Sequence, residues 1–152
     1  MAWPFDSEEQ LDEWVEAFIE EHKEEPPEDP DALEAFFQAK AAATNQSSDI
    51  ETLLSDPEMF AIHQGHEEDV WRFILKVIAR RPPKHVLGYL AAGLLEDLIA
   101  FRGWQFIDRI EAEAEKDPLF RNTLHGVWRN ASSEEIWERV VRARGEEKDL
   151  LH

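Results

Sequence analysis

The chain has 152 residues and a formal net charge of −18, and 43% of it is hydrophobic, with nine Phe and six Trp. That length and apolar content suit one domain, residues 1–152, with a real core. The absence of Cys excludes disulfides and thiolate chemistry, the acidity argues against direct nucleic-acid binding or an anionic membrane, and no run approaches the roughly 18 apolar residues of a spanning helix.

The N-terminus MAWPFDSEEQ lacks the basic start and apolar run of a signal peptide, so a cytoplasmic location is expected. Residues 1–34 hold 14 acids against the single base Lys23, a net of −13, while the other 118 residues carry a net of only −5. The acidity therefore belongs mainly to an N-terminal helix and loop, residues 1–28.

Ser7 followed by Gln10 predicts a capped helix start. Leu11, Trp14, Val15, Phe18 and Ile19 then fall at i, i+3, i+4, i+7, i+8, one apolar stripe on an otherwise acidic helix. Pro26 and Pro27 should end it near Glu25. Asp29-Pro30, Asp56-Pro57 and Asp117-Pro118 each pair an N-cap residue with Pro at the first helical position. The first opens a helix through Leu33, Phe36 and Phe37 to about Ala43. Short helices are expected around Leu53–Leu54 and Met59–Ile62.

From Glu67 a strong helix carries Val70, Trp71, Ile74, Val77 and Ile78 and stops at Pro82-Pro83. Val86 to Ala100 forms either one helix weakened at Gly93 or two helices meeting there. Trp104 to Glu115 is amphipathic through Phe106, Ile107, Ile110 and Ala114. A further helix runs from Pro118 through Phe120, Leu124, Val127 and Trp128. Ser132 with Glu135 is expected to cap the last, which carries Ile136, Trp137, Val140 and Val141. Residues 145–152 read as a frayed tail.

Trp71, Trp104 and Trp137 are 33 residues apart. Phe73 and Ile74 align with Phe106 and Ile107, Val77 with Ile110, and Val140 with Ile74 and Ile107. The period fits a helical hairpin. No alternating strand pattern is present. The expected fold is all-α with about seven or eight helices, either a compact bundle or a short HEAT-like hairpin stack, with the three Trp in the core.

Three motifs stand close together: L-A-A-G-x-L-E-D-L at Leu90–Leu98, G-x-x-F-I-D-R-I-E-x-E-A at Gly103–Ala114, and D-P-x-F-R-x-x-L-x-G-V-W at Asp117–Trp128. Over residues 86–128 the chain resembles a bacterial family, the domain of unknown function 6869. That family usually has Pro where this chain has Leu94, which implies a softer break at Gly93. The resemblance implies a mainly helical bacterial or mobile-element protein and carries over no functional residues. The acidic N-terminal helix lies outside it.

Glu96 and Asp97 interrupt an apolar run and could serve acid–base or metal chemistry. The preferred reading is structural, with the pair facing water or bound to Arg102 or Arg121. His63 and His66 could approach a metal at i, i+3, but Gly65 lies between them and no Glu-x-x-His or His-Glu-x-x-His pattern is present. A surface loop leading into an acidic first turn is preferred. No nucleophile elbow or phosphate loop appears, so neither an enzyme nor a cofactor or metal is expected. Arg80, Arg81 and Lys84 form a basic corner, and Arg129, Arg139, Arg142 and Arg144 make the C-terminal part basic. Either could receive the acidic helix within the molecule or in a dimer.

The expected function is macromolecule binding. Asp12, Glu13, Glu16, Glu20 and Glu24 would meet a basic protein partner, such as a nuclease or nucleic-acid-binding protein, as in a bacterial immunity protein or phage inhibitor. A solubilising role for the charge competes with it. A peptide-binding helical-repeat adaptor is the alternative, as is an enzyme using Glu96 and Asp97.

Overall fold

A computed structural model describes residues 7–23, 27–43 and 65–145. The described residues are helical with no strand, as expected. Helix α1 spans Glu8–His22, α2 Pro30–Ala43 and α3 Glu67–Ala79. Helix α4, Lys84–Leu90, runs through a π-turn at Ala91–Leu95 into α5, Glu96–Lys116. Helix α6, Pro118–Thr123, tightens into a 3-10 turn at Leu124–Gly126, and α7 spans Glu134–Arg144. Counting Lys84–Lys116 as one rod leaves six helices among the described residues. The short helices expected around Leu53 and Met59 lie outside them, as do His63, Glu24 and the tail beyond Gly145.

Capping chemistry sets the starts. The Ser7 hydroxyl accepts the Gln10 N–H at 3.1 Å, and the Asp29 carboxylate accepts that of Ala32 at 3.0 Å. Asp117 caps α6 through the Leu119 N–H at 3.0 Å, with Pro118 in the first turn. The last helix begins one residue later than the capping box predicts. Ser133, not Ser132, accepts the Ile136 N–H, at 3.3 Å, while Ser132 is buried. Arg80 caps the C-terminus of α3, and Arg81 takes a left-handed φ of 52° ahead of the two prolines.

The chain does not break at Gly93. It widens there into a π-turn and continues. The bend comes later, at Arg102 (φ −135°, ψ 28°), inside α5. The helix expected from Pro118 to Trp128 stops early. After Gly126 the backbone of Val127 is extended (φ −87°, ψ 135°), and Trp128 swings out of the helix.

One core joins α1 and the helices from α3 to α7. Leu11, Val15 and Phe18 of α1 are buried against α3 and α4, while Trp14 and Ile19 are partly buried at the margin. Phe18 meets Phe73 edge-on at 5.5 Å. Trp71, 6% exposed, lies between Phe106 at 5.6 Å and Phe120 at 5.9 Å. Helix α3 packs on α5, and α5 makes its most extensive contact with α7. Gly103 allows that approach: a Cβ there would sit 2.9 Å from Ile136 Cγ2. The helices therefore follow the order α1, α3, α5, α7 across the molecule, which sets α1 and α7 at opposite edges of the packing.

Candidate interaction surfaces

The carboxylates of α1 fall into two rows. Glu8, Asp12 and Glu16 recur every four residues on the flank beside the buried stripe and meet the basic side of α3. Glu8 pairs with Arg72 and, at 2.7 Å, with Lys76. Asp12 pairs with Lys76 at 2.8 Å and Arg80 at 3.3 Å, and Glu16 with Arg80 at 2.7 Å. Hydrogen bonds from Lys76 hold the Glu8 and Asp12 carboxyls below their ordinary range, and the same bonds raise Lys76. Arg80 thus receives the acidic helix within the molecule.

The second row is Glu9, Glu13 and Glu20, all exposed on the outward side of α1. Glu20 pairs with Lys23 at 2.7 Å. No ion pair to Glu9 or Glu13 is present among the described residues. The five carboxylates expected on one face are therefore divided: Asp12 and Glu16 face α3, Glu13 and Glu20 face outward, and Glu24 lies outside the described residues.

Several of the other basic residues have local acids or rings, while Arg129 donates to the Ser132 carbonyl at 3.5 Å and Arg142 is exposed. Arg81 pairs with Asp117 at 3.1 Å, and Arg139 pairs with Asp108 at 2.7 Å and with Glu111. Arg109 pairs with Glu68 at 2.6 Å and lies over the Phe106 ring at 4.9 Å; Arg144 lies over Trp137 at 5.2 Å. Lys84 is exposed. His66 leads into α3 and sits 3.8 Å from Asp69.

Glu96 and Asp97 meet neither Arg102 nor Arg121. Arg102 approaches Glu67 at 3.9 Å, and Arg121 donates to the Ala114 carbonyl at 3.3 Å. Glu96 instead accepts the backbone N–H of Trp128 at 2.9 Å and the side-chain amide of Asn130 at 3.2 Å. A carboxylate at the start of α5 thereby holds the loop that leaves the 3-10 turn. A second contact ties the same regions: a Cβ on Gly126 would lie 2.9 Å from that of Ala91. Both contacts join the first and third sequence motifs. Asp97 is half-buried without a hydrogen-bond partner among the described residues. Burial and the neighbouring Glu96 charge push its carboxyl up to about 6.

The loop so held presents Trp128 to solvent at 75% exposure, and Trp104 on α5 is 62% exposed. Of the three Trp in 33-residue register, Trp71 is core, Trp137 is partly buried and Trp104 is outside, so the expectation of three core Trp is corrected. The aligned Phe73 and Phe106, Ile74, Ile107 and Val140, and Val77 and Ile110 are all buried. A cleft of about 390 Å³ lies beside Trp104, between the bend of α5 and the start of α7, and includes Arg102, Ala131 and Ser133 in its wall. The signal for Trp104 was in the spacing. It lies off the Phe106, Ile107, Ile110, Ala114 stripe, and its own row continues through Asp108 and Glu111.

Among the described residues no group of three or more His, Asp or Glu is placed to hold a metal, and no helix is long and apolar enough to cross a membrane. No curated protein and no solved structure matches the chain. Residues 41–148 match a family of unknown function (DUF6869), well beyond the span of the three motifs, and the chain belongs to that family.

Proposed function

We propose that this chain is a protein-binding module that docks a basic protein partner on the outward row of α1, as an inhibitor or immunity protein masking a nucleic-acid-binding surface would. One observation carries the reading: α1 uses one row of carboxylates to dock on α3 and keeps a separate row, Glu9, Glu13 and Glu20, directed at solvent. From Glu9 to Glu20 that row runs about 16 Å along a rigid helix. In a chain of net charge −18 it would steer a cationic partner and fix its register. The test captures basic proteins from the native host at low salt on the wild type and on the Glu9→Gln, Glu13→Gln, Glu20→Gln variant. Glu16 is left intact because it holds α1 to α3. A basic protein captured by the wild type, released by salt and missed by the variant is expected. Equal capture by the two, or none by the wild type, overturns the reading.

The packing order α3, α5, α7, with buried apolar positions repeating at 33 residues, supports reading the chain as a short hairpin stack that could serve as an adaptor. The elevated Asp97 carboxyl is what favours a second reading, as a general base.

A further inference from the structure

The two most exposed rings among the described residues, Trp104 and Trp128, lie on the α5–α7 side of the molecule. Glu96 accepts the Trp128 N–H at 2.9 Å, which sets Trp128 level with the start of α5. Trp104 comes eight residues later on that helix, about 12 Å along its axis. There the cleft opens, with Phe101, Ala131 and Ser133 in its wall. One stretch of α5 therefore carries a projecting indole at one end and an indole beside an open cleft at the other. A two-fold axis across that stretch brings each Trp128 onto the cleft of a second copy, the reciprocal pairing of an isologous contact.

Charge decides what can cover this side. Residues 96–145 hold ten acids and eight bases, a net of −2, whereas residues 1–34 carry −13. Beside the cleft, Arg102 and Arg129 offset Glu134 and Glu135. A strongly charged partner of either sign finds no complement here. Two copies of this −18 chain can meet by this side without opposing their α1 carboxylates, which lie at the other edge.

We propose that a second copy of this chain covers the Trp104 and Trp128 side, in a two-fold dimer where Trp128 of each copy enters the cleft beside Trp104 of the other. At 62% and 75% exposure the two indoles offer about 300 Å² per copy, more than a third of the about 800 Å² per partner in a standard interface. Exposed Arg129, Asn130 and Glu134 supply a polar rim around that aromatic centre. The outward row of α1 stays open in such a dimer, so the inference does not rest on the α1 reading.

The test is the mass of the full chain by sedimentation at about 0.15 M salt. The wild-type mass should rise from one chain to two between about 1 and 100 μM. Trp104→Ser and Trp128→Ser change exposed positions, so dilute protein should melt as the wild type does. Each should dimerise at least about tenfold more weakly. An equimolar mixture of the two variants should dimerise more tightly than either alone, because the mixed pair keeps one Trp128-to-Trp104 junction whole. The α1 triple Gln variant should dimerise like the wild type. A single-chain mass at every concentration overturns the proposal, as does a dimer that both Trp variants leave unchanged. No gain on mixing sets each indole against its own copy and overturns it too. A dimer lost only in the α1 variant moves the contact to α1 and sinks the inference. Chains that stay single yet bind a Phe-rich peptide through the two indoles give the face to another protein, which also overturns it.

Discussion

Trp71 and Trp104 occupy the same place in a 33-residue period yet face opposite fates. Trp71 is wedged between Phe106 and Phe120; Trp104 projects into water. Trp71→Ala should therefore lower stability by about 3–5 kcal/mol through lost burial and a residual cavity, and Trp104→Ala by less than about 1 kcal/mol. Denaturant unfolding of the two variants checks both, and similar losses would contradict the described packing. At this scale much was legible. The caps at Ser7, Asp29 and Asp117 and the buried Leu11, Val15 and Phe18 follow from residue type and spacing. Trp128 was not, because nothing local announces that the helix after Pro118 tightens and stops at Gly126. Its exposure depends on a carboxylate 32 residues earlier in the chain.

At the scale of elements, the join between the π-turn and the 3-10 turn decides how the two halves of the family region meet. A π-turn widens the helix by one residue and rotates the faces of the helix beyond it, so Ala91 and Glu96 both point at the segment 126–130. Gly126 is needed there because Ala91 leaves no room for a side chain. Gly126→Ala should cost about 1–3 kcal/mol through overpacking, and the Ala91→Gly, Gly126→Ala pair should recover part of it. A double-mutant cycle on melting measures the coupling, and strict additivity would dissociate the two positions. Sequence patterning located a weak point near Gly93 but misjudged its kind. Gly there breaks nothing, since the helix absorbs it, and the bend sits at Arg102, where α5 must turn to lay Gly103 against Ile136.

For the molecule as a whole, pH acts through two opposing groups of carboxyls. Glu8 and Asp12, lowered by Lys76, together with Glu68 and Glu111, lowered by Arg109 and Arg139, contribute stability that is present above the ordinary carboxylate range. It is lost as pH falls through their folded values, so the acid limb should begin near pH 4. Asp97 has the opposite sign. With its carboxyl at about 6, the folded state holds a proton that the unfolded state has already released, so stability declines as pH rises from about 4 towards 6. A melting profile should climb modestly as pH is lowered from about 6 towards 4, then fall below about 4. Asp97→Asn should be more stable than the wild type at pH 7 and lose that difference towards pH 4, with the acid limb unchanged. Equal melting of variant and wild type at pH 7 would contradict the burial of Asp97. The helical class and the excess of acid near the N-terminus were readable from composition and period. The division of that acid into a docked row and an outward row was not, because the pairs on α3 lie 64 and 68 residues away and only the folded packing brings them together.

The family match begins at residue 41, yet α1 supplies Leu11, Val15 and Phe18 to the one core and Phe18 to the ring of Phe73. The stretch that matches the family and the unit that folds are thus different lengths of chain. A polypeptide trimmed to residues 41–148 would keep every motif of its family and still open the α3 wall of the core to water. It would strand Lys76 and Arg80 without the carboxylates that neutralise them. In this chain a segment from outside the matched region completes the core on which the matched region packs.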